Sequence, residues 1–272
     1  MAIIDQVSDS HISLITLSQS DKGNLLNSES LNAIYQAVNN AVNDKDTRVI
    51  VLRSNGPVFC LGMDLVSLQS RKDNKEVENA LLYYVKACAA IFDSPKPVIA
   101  LVQGDVKAGG VGLASACDIV LATEQASFEL GEVLFGILPA NVLPYVLGYR
   151  LSFQKARYLV LTSKKIGPQE ALRIGLVDEV IPADKLEKEA KKLIKRLLRS
   201  SPNALAEAKS FTKEISHKTP DQVREAAKDK LLSLVQLPEV IEGVASFNSG
   251  DVPEWFASYR PEKTLLLTNQ ED

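Results

Sequence analysis

The chain has 272 residues and a formal net charge of −3, with 46% hydrophobic and 24% charged residues, the balance of a soluble globular protein. The slightly acidic charge offers no basic surface to nucleic acid, and no run of about 18 apolar residues offers a membrane span. The N-terminus carries Asp5 and no basic segment, which argues against a signal peptide.

Ala2 to Val7 and Ile12 to Leu17 read as paired strands. Ser18 to Leu26 is polar and loop-like. Asn27 or Ser28 caps a helix to about Asp44, with Leu31, Ile34, Tyr35, Val38 and Val42 on one face. Val49 to Leu52 is a continuous apolar run, as expected of a strand covered on both faces. SNGPVFCLGMDL follows as a loop ending at Gly62-Met63-Asp64. Asn74 to Phe92 has helical spacing and is stopped by Pro95 and Pro97.

Val98 to Pro139 is the stretch around which the rest is organised. An apolar strand, Val98 to Val102, leads through Gly104 to the pair Gly109-Gly110 and a small-residue helix, Val111 to Cys117. A second strand, Ile119 to Ala122, precedes the acidic pair Glu129 and Glu132. Glycines between strand and helix let the chain turn sharply and bare backbone N–H groups at the positive end of a helix dipole. A negative oxygen held there, with a carboxylate beside it, is machinery for proton transfer alpha to a carbonyl.

Beyond it, loops surround Pro139 and Pro144, and Ser152 to Leu161 and Pro168 to Ile174 read as helices, the second stopped by Gly175. Val177 to Ile181 is a strand, and Asp184 caps an amphipathic helix to Leu198. From Pro202 no strand appears: Pro202 to Ser216, Pro220 to Leu237 and Pro238 to Phe247 each open with proline and read as helices. The tail from Thr264 has little to bury. The chain therefore divides into an α/β part, residues 1–200, and a helical part, residues 201–272, that docks on its own domain or on another subunit.

The three cysteines, Cys60, Cys88 and Cys117, are an odd, widely spaced set, so neither a disulfide framework nor a zinc site is expected. They read as small buried hydrophobes in a protein of the reducing cytoplasm. His11 and His217 stand alone, which argues against a Ser-His-Asp triad or a His-rich metal centre. Catalysis then falls to carboxylate, backbone, Tyr or Lys.

FCLGMDL, then VIALVQGDVKAGGVGLASACDIVLATEQASFEL, then EVLFGILP and KARYLVLTSKKIGPQEALRIGLVDEVIP, resemble in sequential order the segments of the crotonase superfamily, the enoyl-CoA hydratases and isomerases. The resemblance implies an α/β crotonase fold, a spiral of repeated strand–strand–helix units with a C-terminal helical trimerisation region. It implies a homotrimer, or a hexamer built of two trimers. It also implies an acyl thioester whose carbonyl oxygen is held, as an enolate forms, by the N–H groups of Met63 and Gly109. Gly110, Leu61 and Asp64 then flank the substrate. The hydratases of fatty-acid oxidation use two glutamates; here the first position is Gly112 and the second is Glu132. Their late Lys-Arg pair at the coenzyme A nucleotide falls near Ser249-Gly250, which carries no cation.

GDVKAGGVGLASACDI with ASFELGEVLFGILPANVLP is most similar, within that superfamily, to dehydratases of polyketide β-branching cassettes. The resemblance implies loss of water from 3-hydroxy-3-methylglutaryl on an acyl carrier protein, giving 3-methylglutaconyl, with phosphopantetheine as the only carrier group and no separate cofactor. Glu132 would take the C2 proton and return it to the departing hydroxyl. An isomerase, the decarboxylase of the same pathway, a coenzyme A hydratase, and an inactive trimeric scaffold for a carrier protein are the alternatives. The distal carboxylate of the substrate needs a cation or several donors. Lys107 is one candidate, and Lys86, Tyr83 and Tyr84 are others. Asp64 and Asp118 are expected to bond turn or strand-end N–H groups. Lys22, Arg71, Lys72 and Lys75 form a candidate basic rim for the carrier.

Overall fold

The computed structural model describes residues 4–64 and 74–260; Arg71, Lys72 and the tail from Thr264 lie outside them. Strands β1 (Ile4–Asp9), β2 (Ile12–Leu17), β3 (Val49–Ser54), β5 (Val98–Val102), β7 (Ile119–Thr123) and β9 (Glu179–Ile181) form one sheet in the order β1-β2-β3-β5-β7-β9. Only β1–β2 is antiparallel; the other pairs are parallel. Three short strands, β4 (Val58–Cys60), β6 (Asp105–Lys107) and β8 (Ser127–Glu129), form a second parallel sheet.

The repeat is legible in chain order. Three times a long strand is followed by a short one: β3 then β4, β5 then β6, β7 then β8. The long member joins the large sheet and the short member joins the small one. Helix α1 (Ser28–Asn43) precedes the first pair, α2 (Asn74–Phe92) follows it, and α3 (Gly109–Ala116) follows the second. This is the spiral of strand–strand–helix units implied by the resemblance.

The middle of the large sheet, β2, β3, β5 and β7, is covered on both faces because these strands are mostly apolar; the edge strand β1, IDQVSD, is largely exposed. Alternate side chains point to opposite sides. Ile15, Ile50, Leu52, Val98, Ala100 and Val102 face the main core with α1, α2 and α3. Leu14, Val49, Val51, Ile99 and Leu101 face α7 (Leu186–Leu198) through Leu186, Ala190, Ile194 and Leu198. Of the two expected caps, Asn27 and Ser28, it is Asn27 that caps α1, in a reciprocal box with Ser30.

Four local expectations are corrected. Val58–Cys60 is not loop but β4; three residues carry too little periodicity to be recognised. The segment around Pro144 is helix α4 (Leu143–Tyr149), the proline sitting in its first turn where no N–H is needed. Asp184 does not cap α7: it lies in a 3-10 turn, Ala183–Lys185, and Lys185 precedes the helix without a side-chain cap. The strand read from Val177 begins at Glu179.

Helices α5 (Phe153–Thr162) and α6 (Pro168–Ile174) complete the first part. Helices α8 (Pro202–Ile215), α9 (Pro220–Val235) and α10 (Pro238–Ser249) contain no fully buried residue. Helix α8 is tied to the core by Lys209, whose Nζ lies 2.7 Å from Asp118 Oδ2 and 3.0 Å from the Lys96 carbonyl. After α10 the chain returns to the core: Arg48 donates to the carbonyls of Trp255 and Ser200, each at 3.0 Å, and Tyr259 joins the cluster beneath α7.

Candidate active site

Each short strand delivers one predicted site residue just past its C-terminal end. Met63 follows β4, Gly109 follows β6 and Glu132 follows β8. The small sheet holds these ends side by side: Lys107 is opposite Glu129 across β6 and β8, and Ala108 N–H donates to the Glu129 carbonyl at 2.9 Å. Ligands commonly bind at the carboxyl ends of parallel strands.

The first donor is placed by a tight crossing. Gly62 has φ +87°, a left-handed backbone that favours glycine. A Cβ there would lie 2.8 Å from Ala108 Cβ and 3.2 Å from Gly109 N, so any side chain would push the two donor segments apart. Met63 itself bridges to Leu26. Leu61 N–H donates to Gly23 O at 2.9 Å, and Asp64 N–H donates to Leu26 O at 2.9 Å. Among the described residues, nothing accepts from Met63 N–H.

The second donor opens α3. Ala108, just before it, has φ 49° and ψ −121°, an unfavourable conformation for a residue with a Cβ. That turn reverses the chain from β6 into α3 and leaves Gly109 N–H at the first helical position, where no intrahelical acceptor exists. Among the described residues, nothing accepts from it. Gly110 packs on Cys60, whose carbonyl would lie 2.5 Å from an added Cβ. Two unspent N–H groups in adjoining segments, one at the positive end of a helix, are what an oxyanion requires.

Glu132 begins a 3-10 turn, Glu132–Phe135, after Gly131. Its Oε2 is buried and hydrogen-bonds to no described group. Burial raises its pKa above the ordinary carboxylate value, and the charge of Glu129 raises it further, against the pull of its own backbone N–H. A half-buried carboxylate with one buried, unspent oxygen is poised to take a proton.

The other candidates divide. Lys107 is half-exposed and its Nζ lies 3.0 Å from Glu129 Oε2, so its charge already has a partner. Lys86 is exposed and lies over the rings of Tyr35 and Tyr83, at 5.9 and 5.4 Å from their centroids. Tyr84 is buried, and its hydroxyl donates to the Gly109 carbonyl at 2.8 Å; it is spent on the protein and not free for a substrate carboxylate. Asp118 accepts Val98 N–H at 2.7 Å, the strand-end role expected of it. The three cysteines are buried, and burial pushes Cys60 and Cys88 up to about 12, so neither is a thiolate nucleophile.

The left-handed backbone at Ala108 escaped the sequence reading. The Gly62-Met63 pair carried a turn signal, but a positive φ at an alanine has no signature in composition. Among the described residues no cluster of His, Cys, Asp or Glu fits a metal ion, and no helix is long and apolar enough to cross a membrane.

Comparison with known proteins agrees with this fold. The family described as enoyl-CoA hydratase/isomerase matches residues 8–257. The bacillaene synthase dehydratase PksH of Bacillus subtilis is 33% identical over 205 residues, 75% of this chain and 77% of that protein. The trans-2-decenoyl-[acyl-carrier-protein] isomerase of Streptococcus mutans is 25% identical over 250 residues, 91% of this chain and 95% of that protein. The crystal structure of an enoyl-CoA hydratase from Polaromonas superposes with a TM-score of 0.85 at 30% identity, covering 92% of this chain and 98% of that one.

Proposed function

This chain belongs to the enoyl-CoA hydratase/isomerase family, and from that premise we propose that it is a hydro-lyase of polyketide biosynthesis acting on a carrier-bound 3-hydroxyacyl thioester. The substrate we infer is 3-hydroxy-3-methylglutaryl on an acyl carrier protein, and the product 3-methylglutaconyl. The observation that supports the reading is the buried Oε2 of Glu132, which hydrogen-bonds to no described group, three residues beyond the strand that pairs with Lys107. Similarity to the protein named bacillaene synthase dehydratase supports a dehydration.

The steps follow from charge. The thioester carbonyl oxygen sits between Met63 N–H and Gly109 N–H. Glu132 removes the C2 proton, and the electron pair moves onto that oxygen as an enolate, the charge the two donors stabilise by about 3 kcal/mol each. The pair then returns to form the C2–C3 double bond as the C3–O bond breaks. The departing hydroxyl takes the proton held by Glu132 and leaves as water. One carboxylate serves both transfers when proton and hydroxyl leave from the same face. The tertiary C3 makes departure easier, which suits a site with glycine at position 112.

The carrier follows from the charge near the end of α10. Ser249 and Gly250 offer no cation for nucleotide phosphates, whereas a carrier protein brings only the phosphopantetheine arm. Lys22 is exposed, and with Lys75 it belongs to the proposed basic rim. The helices α8 to α10 are proposed to build a homotrimer, or a hexamer of two trimers, in the cytoplasm.

Mass spectrometry of carrier-bound 3-hydroxy-3-methylglutaryl incubated with the enzyme tests this directly. Loss of water supports the lyase. Loss of carbon dioxide from the methylglutaconyl form assigns the decarboxylase, and a moved double bond seen by NMR on a separate trans-2-enoyl thioester assigns an isomerase, the reaction named for the Streptococcus relative. Equal kcat/KM for the coenzyme A and carrier-protein thioesters, unaffected by salt or by charge reversal at Arg71 and Lys72, would return the chain to coenzyme A substrates.

A further inference from the structure

Tyr84 of α2 is 2% exposed, and its hydroxyl donates to the Gly109 carbonyl at 2.8 Å. The ring supports the same residue: a Cβ on Gly109 would lie 3.1 Å from Tyr84 Cε2. Further along α3, a Cβ on Gly112 would lie 2.0 Å from the Tyr84 hydroxyl oxygen, far inside contact distance. The hydroxyl thus occupies the space in which a side chain at position 112 would begin. Burial, above all, raises the phenol's pKa, and the charges of nearby groups including Glu132 act in the same direction, so it remains a neutral donor.

We infer that Tyr84 is a positioning residue for the oxyanion site: its hydroxyl and ring fix Gly109, and by filling the space at Gly112 it keeps α3 free of any side chain there. The start of α3 then presents backbone donors only, and proton transfer falls to Glu132. The inference rests on Met63 and Gly109 as the oxyanion donors, not on which thioester reaction follows.

The test uses Tyr84→Phe, Gly112→Ala and the double variant in the full chain, each checked by circular dichroism and thermal unfolding. The probe is butyryl-pantetheine carrying ¹³C at its carbonyl, a saturated thioester that needs no turnover. Its bound carbonyl stretch should fall in the wild-type enzyme and fall less in Tyr84→Phe. On the 3-hydroxyacyl substrate, Tyr84→Phe should lower kcat about tenfold, the effect of one ordinary hydrogen bond, with KM little changed. Gly112→Ala displaces the hydroxyl and should lose at least as much. Added to Tyr84→Phe it should cost nothing more, because the methyl enters the space the oxygen left, 3.3 Å from Cζ and from Val142 Cα.

Additive losses in the double variant, or an undiminished carbonyl shift in Tyr84→Phe, would overturn the inference. An unshifted carbonyl in the wild-type enzyme would overturn the oxyanion site as well. A wrong assignment of the reaction would leave the carbonyl measurement untouched.

Discussion

Leu26 brackets Met63: its N–H donates to the Gly62 carbonyl at 2.8 Å, and its own carbonyl accepts Asp64 N–H at 2.9 Å. The bonds that anchor this loop are therefore made by the residues on either side of Met63. The loop is held without using the N–H assigned to the proposed oxyanion site.

Replacing Met63 with proline removes that N–H and leaves both bracketing bonds in place. The expected loss in kcat is roughly 10²–10³-fold, the cost of one oxyanion donor, with little change in thermal midpoint. Stopped assays alongside thermal denaturation check it. A folded Met63→Pro enzyme of wild-type kcat would take Met63 out of the site.

Glu132→Gln should lose activity at least about a hundredfold, because the amide accepts no proton. The same change should stabilise the fold. In the native chain burial raises the Glu132 pKa above its ordinary 4.5, so the folded state holds this proton more tightly than the unfolded chain. Stability therefore falls as pH rises from the ordinary value through the raised one, and stays lower above it. The thermal midpoint of Glu132→Gln should exceed that of wild type at pH 8, and the gap should narrow by pH 4. Calorimetry at both values decides it; a variant less stable at pH 8 would show that the carboxylate is satisfied in the fold.

Glu129 raises the Glu132 pKa through its charge, although Lys107 offsets part of that charge at 3.0 Å. Glu129→Gln should therefore move the acid limb of the kcat/KM–pH profile to lower pH, and Lys107→Met should move it higher. High salt should shrink both shifts. Limbs that coincide with wild type would separate the Glu129–Lys107 pair from the base.

Phe247 is 84% exposed on α10, and Leu231, Ile241 and Val244 are 62%, 60% and 56% exposed on α9 and α10. These side chains are the apolar surface through which the proposed trimer would assemble. The double change Leu231→Asp, Phe247→Asp should leave the secondary structure intact and lower the mass seen by light scattering from that of the proposed trimer to that of a monomer. A trimer that survives it would place the assembly surface elsewhere.

How much the sequence disclosed depends on how local each signal is. The α2 and α6 boundaries, Asn74–Phe92 and Pro168–Ile174, match the reading because proline and glycine punctuate them. Helix α1 likewise announces itself through Asn27 and its apolar stripe. The strands β4, β6 and β8 were not recognised, since three residues complete barely one alternation and their pairing is wholly long-range. Glu132 and Gly109 were visible as a carboxylate after a glycine turn, but Met63 came only through resemblance. The bond from Tyr84 to Gly109 spans 25 residues and joins two helices, so no window of sequence contains it.

The small sheet also bears on how such a chain tolerates change. Its three rungs end at Cys60, Lys107 and Glu129, and the site residues hang two or three positions beyond them. Insertions inside those short overhangs would swing a donor or the base out of reach while leaving the ladder whole. Substitution at Glu132 would exchange one chemistry for another at little cost to folding, whereas Gly62 is fixed by its backbone. Evolution can thus rewrite the reaction at the overhangs while the rungs keep the spacing.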